Sequence, residues 1–249
     1  MRTCVGLLVL PIALIFYSLA AIFYALRGAP AAHVHRAYVG FARACRRVAG
    51  TELLLRGADR IAVGQAYVVV VNHESAWDPF CVVASLPDLL LRFVAKGQLV
   101  RIPIFGWALA LTGNLRVERS QTAGDVSRIR EGMERRDPAV SILFFAEGAR
   151  SRDGAFHPFR MGAFATALVF GLPILPVAVA GTYAIWPKGK LRLEQRPVAI
   201  EVGEPISIAG LTFEDRSALR DRVHAVVGEL RATARRRLRA SGNEPGGID

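Results

Sequence analysis

Downstream of Gly50 the chain alternates between short apolar runs and longer stretches in which apolar residues recur every three or four positions. The short runs are typical of buried strands, and the longer period is typical of amphipathic helices. This alternation predicts an α/β domain with a mixed, largely parallel sheet flanked by helices. The predicted strands are 53–56, 67–71, 91–95, 114–118, 140–145, 174–180 and 198–203, and the predicted helices are 79–86, 122–136, 160–170 and 212–238. The last helix opens with a sequence typical of a capping box, from Thr212 to Asp215.

The segment before this domain differs, because no charged residue occurs between Cys4 and Leu26. As a helix it would be about 35 Å long, enough to cross a bilayer. The run is long for a cleaved signal sequence, and we expect a hydrophobic helical anchor instead. Pro11 permits a kink, so an anchor that only dips into the membrane is an alternative. Arginines are more frequent after the segment than before it, which places the main domain on the cytoplasmic side.

A second helix is predicted over residues 31–49, with apolar residues and arginines on different sides. Two interpretations stay open. The helix either lies in the membrane interface with its arginines at anionic head groups, or packs on the domain as an ordinary surface helix. The predicted organisation is an anchor at 1–49, an α/β domain at 50–240 and a short disordered tail at 241–249.

The charge balance favours a membrane or a phosphorylated substrate as the partner. The chain has 32 basic and 21 acidic residues, a formal net charge of +11 and 52% hydrophobic residues. Such a surplus suits anionic partners in general. No zinc-finger spacing, RNA-binding strand motif or basic region with heptads occurs, so we expect no nucleic-acid partner.

The cysteines and histidines indicate neither a disulfide framework nor a metal site. Cys4, Cys45 and Cys81 are isolated and odd in number, which suits a reducing compartment. The apolar neighbours of Cys81 favour a packed core thiol over a nucleophile. Apart from His33 and His35 in the anchor region, the histidines lack ligand spacing, and we expect no metal.

The most informative stretch follows the predicted strand 67–71 and reads NHESAWD at residues 72–78. It places His73 and Asp78 at the end of a buried strand, where α/β sheets gather their chemistry. An imidazole accepts a proton near neutral pH, and a carboxylate can fix its tautomer. The pair is predicted to be a general base and its orienting group. Helix capping and turn hydrogen bonds are the alternative role for these residue types.

A second strand exit reads FFAEGARS at residues 144–151. Gly148 permits close approach of the backbone, and the planar donors of Arg150 suit phosphate oxygens. Glu147 is a candidate acceptor for a substrate hydroxyl. The alternative is a turn with an ordinary surface pair between Glu147 and Arg150.

A third exit reads GNLRVERS at residues 113–120 and carries Arg119. If the three strands run parallel in one sheet, His73, Arg119 and Arg150 meet at one rim. A proton acceptor beside an arginine-lined anion site, in a chain with a membrane anchor, suits activation of a hydroxyl on a phosphorylated, lipid-like molecule.

The apolar run 172–177 contains Pro173 and Pro176. Proline is confined to edges, starts and bulges of sheets, and this strand is therefore expected to lie at an edge or to be bent.

Four of these stretches together resemble the glycerophosphate acyltransferase superfamily, specifically the bacterial 1-acylglycerol-3-phosphate acyltransferases. Residues 72–78 match the NHxSxxD block, 113–119 resemble the second block, 145–151 are similar to FPEGTRS, and 172–177 match VPIVPV. Four blocks in the expected order, over about residues 50–205, are more specific than any single motif. The resemblance implies an α/β fold with an N-terminal hydrophobic anchor.

The resemblance also implies residue roles. His73 would be the general base and Asp78 would orient it, while Arg119 and Arg150 would hold the phosphate and Lys96 would add charge. The implied substrate-binding residues are Lys96, Arg119, Glu147, Gly148 and Arg150.

The implied reaction moves a fatty acyl group from acyl-CoA or acyl carrier protein to the sn-2 hydroxyl of lysophosphatidic acid. It would occur at the cytoplasmic face of a bacterial inner membrane, without a cofactor beyond the acyl donor. Arg116, Ala146 and Ala149 depart from the family pattern, which keeps another lyso-lipid acceptor, such as a lyso-ornithine lipid, as an alternative. A thioester or lipid hydrolase and an inert lipid-binding protein are the remaining alternatives.

Overall fold

The computed structural model describes residues 2–117, 123–186 and 193–243. Its described strands form one sheet in the order β1-β7-β6-β2-β5-β3-β4. Arg119 and the last residues of the predicted tail, 244–249, lie outside the described residues. The strands are β1 (Leu53–Arg56), β2 (Val68–Val71), β3 (Leu91–Lys96), β4 (Leu115–Val117), β5 (Ser141–Phe145), β6 (Ile174–Ala180) and β7 (Val198–Val202).

The strand directions confirm the predicted mixed, largely parallel sheet. β2 pairs parallel with both β5 and β6, β3 pairs parallel with β4 and β5, and β1 pairs parallel with β7. β6 and β7 pair antiparallel. Because β2 lies between β5 and β6, the loop at its carboxyl end is flanked by the loops that leave both neighbours.

Helices cover both faces of the sheet. Every side chain of β2 is buried, with Val69 and Val71 in one apolar cluster and Val68 and Val70 in the other, as the two-residue period of a strand requires. The described helices are α1 (Arg2–Leu26), α2 (Ala31–Ala49), α3 (Asp78–Ser85), α4 (Phe105–Leu111), α5 (Ala123–Glu134), α6 (Gly162–Phe170), α7 (Thr182–Ile185) and α8 (Arg216–Ala240).

Of the two alternatives predicted for the proline-containing strand, an edge position or a bend, the edge position is wrong, because β6 lies between β2 and β7 and is buried throughout. The antiparallel ladder with β7 pairs residues from Val177 onward, and an isolated bridge lies at Ile174. Pro176 falls between these pairs, where its carbonyl oxygen accepts a hydrogen bond from the Gly203 N–H at 2.9 Å. The ladder between β6 and β7 is therefore interrupted at Pro176, and a proline is tolerated there because no N–H is needed for pairing.

α1 has one packed and one exposed side. Within the described residues, Leu8–Leu26 is the helical stretch long and apolar enough to cross a membrane, judged by length and composition. Ser18 and Ala21 are buried in this helix, which packs against α2. The exposed apolar side chains of α1 are Leu8, Val9, Ile12, Ile15, Phe16, Leu19, Phe23 and Leu26.

α2 has the predicted bounds and packs on the domain. Its buried side, which includes Val34, Ala42 and Cys45, contributes to the core, while Arg36 and Arg43 are exposed. Since protein covers the apolar side, the structure favours the packed surface helix over a helix whose apolar side enters the membrane.

Candidate active site

The side chain of Asn72 fixes the chain as it leaves β2. Its amide oxygen accepts a hydrogen bond from the Val179 N–H at 2.8 Å, and its amide nitrogen donates to the Val179 carbonyl oxygen at 2.9 Å. Asn72 is fully buried, so these two bonds are not exchanged with water. The loop that begins at His73 therefore starts from a fixed point on the rim, the edge of the sheet at which β2, β5 and β6 end.

His73 and Asp78 form the predicted pair. His73 Nδ1 and Asp78 Oδ2 are 2.7 Å apart. The same carboxylate oxygen accepts hydrogen bonds from the backbone N–H groups of Glu74 at 2.7 Å and Ser75 at 2.9 Å. The Thr182 hydroxyl donates to Oδ1. A carboxylate surrounded by donors acts as an acceptor only, so Nδ1 donates its proton to Asp78 and the lone pair lies on Nε2.

The outer edge of the imidazole is open. The His73 side chain is 16% exposed, and Nε2 makes no hydrogen bond with any residue that the structure describes. The ring lies against the ring of Phe145, with centroids 4.1 Å apart and an interplanar angle of 20°. The imidazole is thus held in one orientation with a free proton-accepting atom.

The start of α3 supports Asp78. Asp78 is the first residue of this helix and Pro79 the second, a position at which proline loses no helical hydrogen bond. A carboxylate at a helix N-terminus is stabilised by the positive end of the helix dipole.

The structure places Glu147 beneath the loop of His73, where its carboxyl group binds backbone N–H groups. Its Oε1 accepts a hydrogen bond from the His73 N–H at 2.7 Å, and its Oε2 accepts one from the His157 N–H at 3.2 Å. The carboxyl group is buried, which raises its pKa, the two N–H donors lower it, and the resulting pKa is about 7. Since the carboxyl group is buried and both oxygens bind backbone N–H groups, Glu147 supports the loop of His73, and its contact with a substrate stays a prediction.

The loop after β5 adjoins His73 directly. Gly148 has a φ of +74°, a conformation that favours glycine. The Ser151 N–H donates to the His73 carbonyl oxygen at 2.9 Å. Arg150 is exposed, and in the described part of the chain its guanidinium has no hydrogen-bond or ion-pair partner. The structure therefore places the cationic side chain of Arg150 on the loop that contacts His73.

The other predicted cations have different outcomes. Lys96 is the last residue of β3 and lies half-buried at the carboxyl ends of the parallel strands, on the far side of β5 from His73. Arg119 falls in the segment outside the described residues, and its phosphate contact stays a prediction.

Sequence reasoning missed three contributors to this rim. Thr182 follows β6, and its hydroxyl donates to Asp78. Its position directly after an apolar strand could have indicated a place near the site, because β6 is next to β2. Arg152 and Arg160 are exposed in the segment after β5, and a Cβ on Gly148 would lie 3.1 Å from Arg160 Cγ. These arginines add positive charge beside Arg150.

Cys81 is a packed core thiol, as predicted. It is buried and unpaired, and burial raises the pKa of its thiol well above the usual range, which disfavours the reactive thiolate. Among residues 2–117, 123–186 and 193–243, no three His, Cys, Asp or Glu side chains are grouped to hold a metal ion.

Comparisons with known proteins agree with the geometry. The sequence model of the Acyltransferase family matches residues 52–180. The chain is 30% identical to a 1-acyl-sn-glycerol-3-phosphate acyltransferase of Limnanthes douglasii, over 66% of this chain and 58% of that protein. It is also 30% identical to the human 1-acyl-sn-glycerol-3-phosphate acyltransferase alpha, over 73% of this chain and 65% of that protein. The alignments thus span less than two thirds of the length of either relative.

The fold is similar to the crystal structure of the 1-acyl-sn-glycerophosphate (LPA) acyltransferase PlsC from Thermotoga maritima. The TM-score is 0.75 at 25% sequence identity, covering 92% of this chain and 95% of that one. The family match itself covers more than half of the 249 residues and includes the His73 loop, Glu147 and Arg150. The chain therefore belongs to the acyltransferase family.

Proposed function

We propose that the protein transfers a fatty acyl group to the sn-2 hydroxyl of 1-acyl-sn-glycerol 3-phosphate, giving phosphatidic acid, with acyl-CoA or acyl carrier protein as the donor. The observation that carries this proposal is the 2.7 Å contact between His73 and Asp78, which leaves Nε2 open next to the loop of the unpaired Arg150. The names of the relatives support lysophosphatidic acid as the acceptor.

His73 acts as the general base. Nε2 takes the proton of the acceptor hydroxyl as its oxygen attacks the thioester carbonyl. The new C–O bond forms, the C–S bond breaks, and the departing thiolate receives the proton from the imidazolium. Asp78 holds the ring and stabilises its positive charge, and base catalysis of this kind contributes about 10²- to 10⁴-fold.

The basic residues of the rim hold the phosphate of the acceptor. Arg150 is exposed and without a partner in the described residues, which leaves its planar donors available for two phosphate oxygens. Lys96 and Arg160 add positive potential around it, and Arg119, which lies outside the described residues, is proposed as a further phosphate contact. When the phosphate is held, the sn-2 hydroxyl lies against Nε2. The binding energy of the phosphate then contributes to the correct orientation of the reacting hydroxyl.

The exposed apolar side of α1 attaches the enzyme to the bilayer that contains its acceptor. Many neighbouring apolar side chains, among them Ile12 and Phe16, are exposed on this helix, and their contact with water would be unfavourable. A membrane removes that contact by covering them. The membrane we propose is a bacterial inner membrane, and the excess of arginine after α1 supports a domain on its cytoplasmic face.

The test is phosphatidic acid formation by the full-length protein, with lysophosphatidic acid and both donor types. His73→Ala should reduce turnover at least about 10²-fold while leaving the melting temperature near that of the wild type. His33→Ala, in α2, is the control histidine and should retain turnover. Undiminished product from His73→Ala would contradict the proposed mechanism.

A different lyso-lipid acceptor is the second candidate, and the exposed Arg116 and the missing hydroxyl at Ala149 favour keeping it. A panel of lysophosphatidic acid, lyso-ornithine lipid and neutral lyso-lipids separates the two by kcat/KM. Release of free fatty acid without any acceptor would instead support a hydrolase.

A further inference from the structure

α8 carries a charged residue within its buried row. Leu219, Val223 and Val227 are buried at intervals of four residues, and the next position in that row is Arg231, which is only 5% exposed. A buried guanidinium is costly unless its charge and N–H groups are paired. The partners of Arg231 therefore indicate its role.

Arg231 joins the two loops that form the site. Its Nε donates to Glu74 Oε1 at 3.0 Å, and a terminal nitrogen donates to the Gly154 carbonyl oxygen at 2.5 Å. Glu74 belongs to the loop after β2, which carries His73. Gly154 belongs to the loop after β5, which carries Arg150. One guanidinium from α8 thus holds both loops.

Glu74 connects this contact to the catalytic pair. Its backbone N–H donates to Asp78 Oδ2 at 2.7 Å, while its side chain is buried against Arg231. The residue is 4% exposed, and its carboxyl group has no route to a substrate. A shift of Glu74 would move the N–H that holds Asp78, and Asp78 in turn orients His73.

We propose that Glu74 and Arg231 form a positioning clamp that fixes the loop of His73 relative to the loop of Arg150. The clamp rests on the proposed function, because it sets the distance between the base and the phosphate contact. Ser151 joins the same loops on the rim side through its N–H and the His73 carbonyl oxygen. Arg231 provides a second connection from α8.

The electrostatics of Glu74 agree with this role. Burial is the largest influence and raises the pKa of Glu74, the charges of Arg231 and Arg235 lower it, and that of Asp78 raises it, so that the resulting pKa is about 7. Removal of Arg231 would therefore favour protonation of Glu74 at neutral pH. The remaining carboxylic acid would be a weaker anchor for the loop.

The experiment compares Arg231→Met with Arg237→Met in the full-length protein. Arg237 lies on the same helix and pairs with the buried Glu201 of β7, so each variant removes a guanidinium and leaves a buried carboxylate. We expect Arg231→Met to lower kcat about 10- to 100-fold in the folded protein, the effect of a small displacement of a reacting group. Arg237→Met should keep kcat within about twofold at a similar loss of melting temperature.

A double variant separates positioning from stability. In Arg231→Met the buried Glu74 must either stay charged without its partner or take up a proton, and both destabilise the folded state at neutral pH. Glu74→Gln combined with Arg231→Met removes this cost, so the melting temperature should recover. The bridge to Gly154 stays broken, so kcat should remain low. The clamp is overturned if kcat recovers together with the melting temperature, or if Arg231→Met and Arg237→Met lose equal kcat after correction for the folded fraction.

Hydrogen exchange gives a readout that does not need the substrate. Amides in residues 72–78 and 150–157 should exchange faster in Arg231→Met and remain protected in Arg237→Met. If this holds while the wild type fails to acylate lysophosphatidic acid, the clamp stands and the proposed function fails. If the wild type is active and both variants exchange alike, the clamp fails alone.

Discussion

The two sides of the candidate site are built differently. On the base side, Asp78 accepts hydrogen bonds from a ring nitrogen, two backbone N–H groups and a hydroxyl, and Glu147 holds the backbone of His73. On the anion side, Arg150 and Arg160 are exposed and have no ion-pair partner among the residues described. The proposed base, His73, is fixed before a substrate arrives, whereas the proposed anion side has donors left for a ligand. Such an arrangement orients the reacting group without any reorganisation during the reaction.

The largest expected effect comes from breaking the base side at Asp78. Asp78→Asn keeps the shape but removes the negative charge and presents an amide donor among the donors that surround it. The preferred tautomer of His73 is lost, and kcat should fall about 10²- to 10⁴-fold with little change in KM for the acceptor. Steady-state kinetics measure this. A kcat close to that of the wild type would show that Asp78 does not orient the base.

A second prediction concerns the buried carboxyl group beneath the base. The pKa of Glu147 in the folded protein, about 7, lies above the usual value near 4.5. Folding therefore favours its protonated form, and this contribution to the free energy of unfolding is present at low pH and is lost as pH rises from about 4.5 to 7. Glu147→Gln should remove that pH dependence, which amounts to a change of up to about 3 kcal/mol in the free energy of unfolding between about pH 4.5 and 7.

Chemical denaturation at several pH values checks the effect of Glu147→Gln. The difference in the free energy of unfolding between the wild type and the variant should change as pH rises from the usual pKa of the carboxyl group to its raised pKa. A difference that is independent of pH would mean that Glu147 ionises as an ordinary exposed carboxyl group does.

The smallest effect is expected on the anion side. Arg150→Ala removes a charged hydrogen-bond donor, so KM for lysophosphatidic acid should rise about tenfold while kcat changes little. The ratio of KM values for a phosphorylated and a neutral acceptor reports the phosphate contact. Arg56→Ala is the matched control, because β1 runs opposite to β2 and ends at the other rim. An equal rise in KM for both acceptors would argue against a phosphate contact.

Local pattern was sufficient for most elements. The predicted bounds 53–56, 174–180 and 31–49 equal those of β1, β6 and α2, because short apolar runs and a regular amphipathic period depend on nearby residues. The predicted capping box at Thr212 is present too, although it opens a 3-10 turn before α8 begins. The pairing of His73 with Asp78 also lies within one loop, so their spacing predicted it.

Contacts between distant segments were not predictable from pattern. Pro176 suggested an edge strand, and only the interrupted pairing of β6 with β7 explains its central place. Glu147 follows a strand and is predicted to contact a substrate, whereas its oxygens bind the backbone N–H groups of His73, which is distant in sequence, and of His157, which lies further along the same loop. Arg231 interrupts an apolar row of α8, and its role is evident only from its contact with Glu74 in a distant part of the chain.

The most direct test of the central claim is a structure of the protein with bound lysophosphatidic acid and a non-reactive acyl-donor analogue. We expect the sn-2 oxygen within about 2.6–3.2 Å of His73 Nε2, with the phosphate against Arg150. A phosphate bound elsewhere, with the hydroxyl out of reach of that nitrogen, would contradict it.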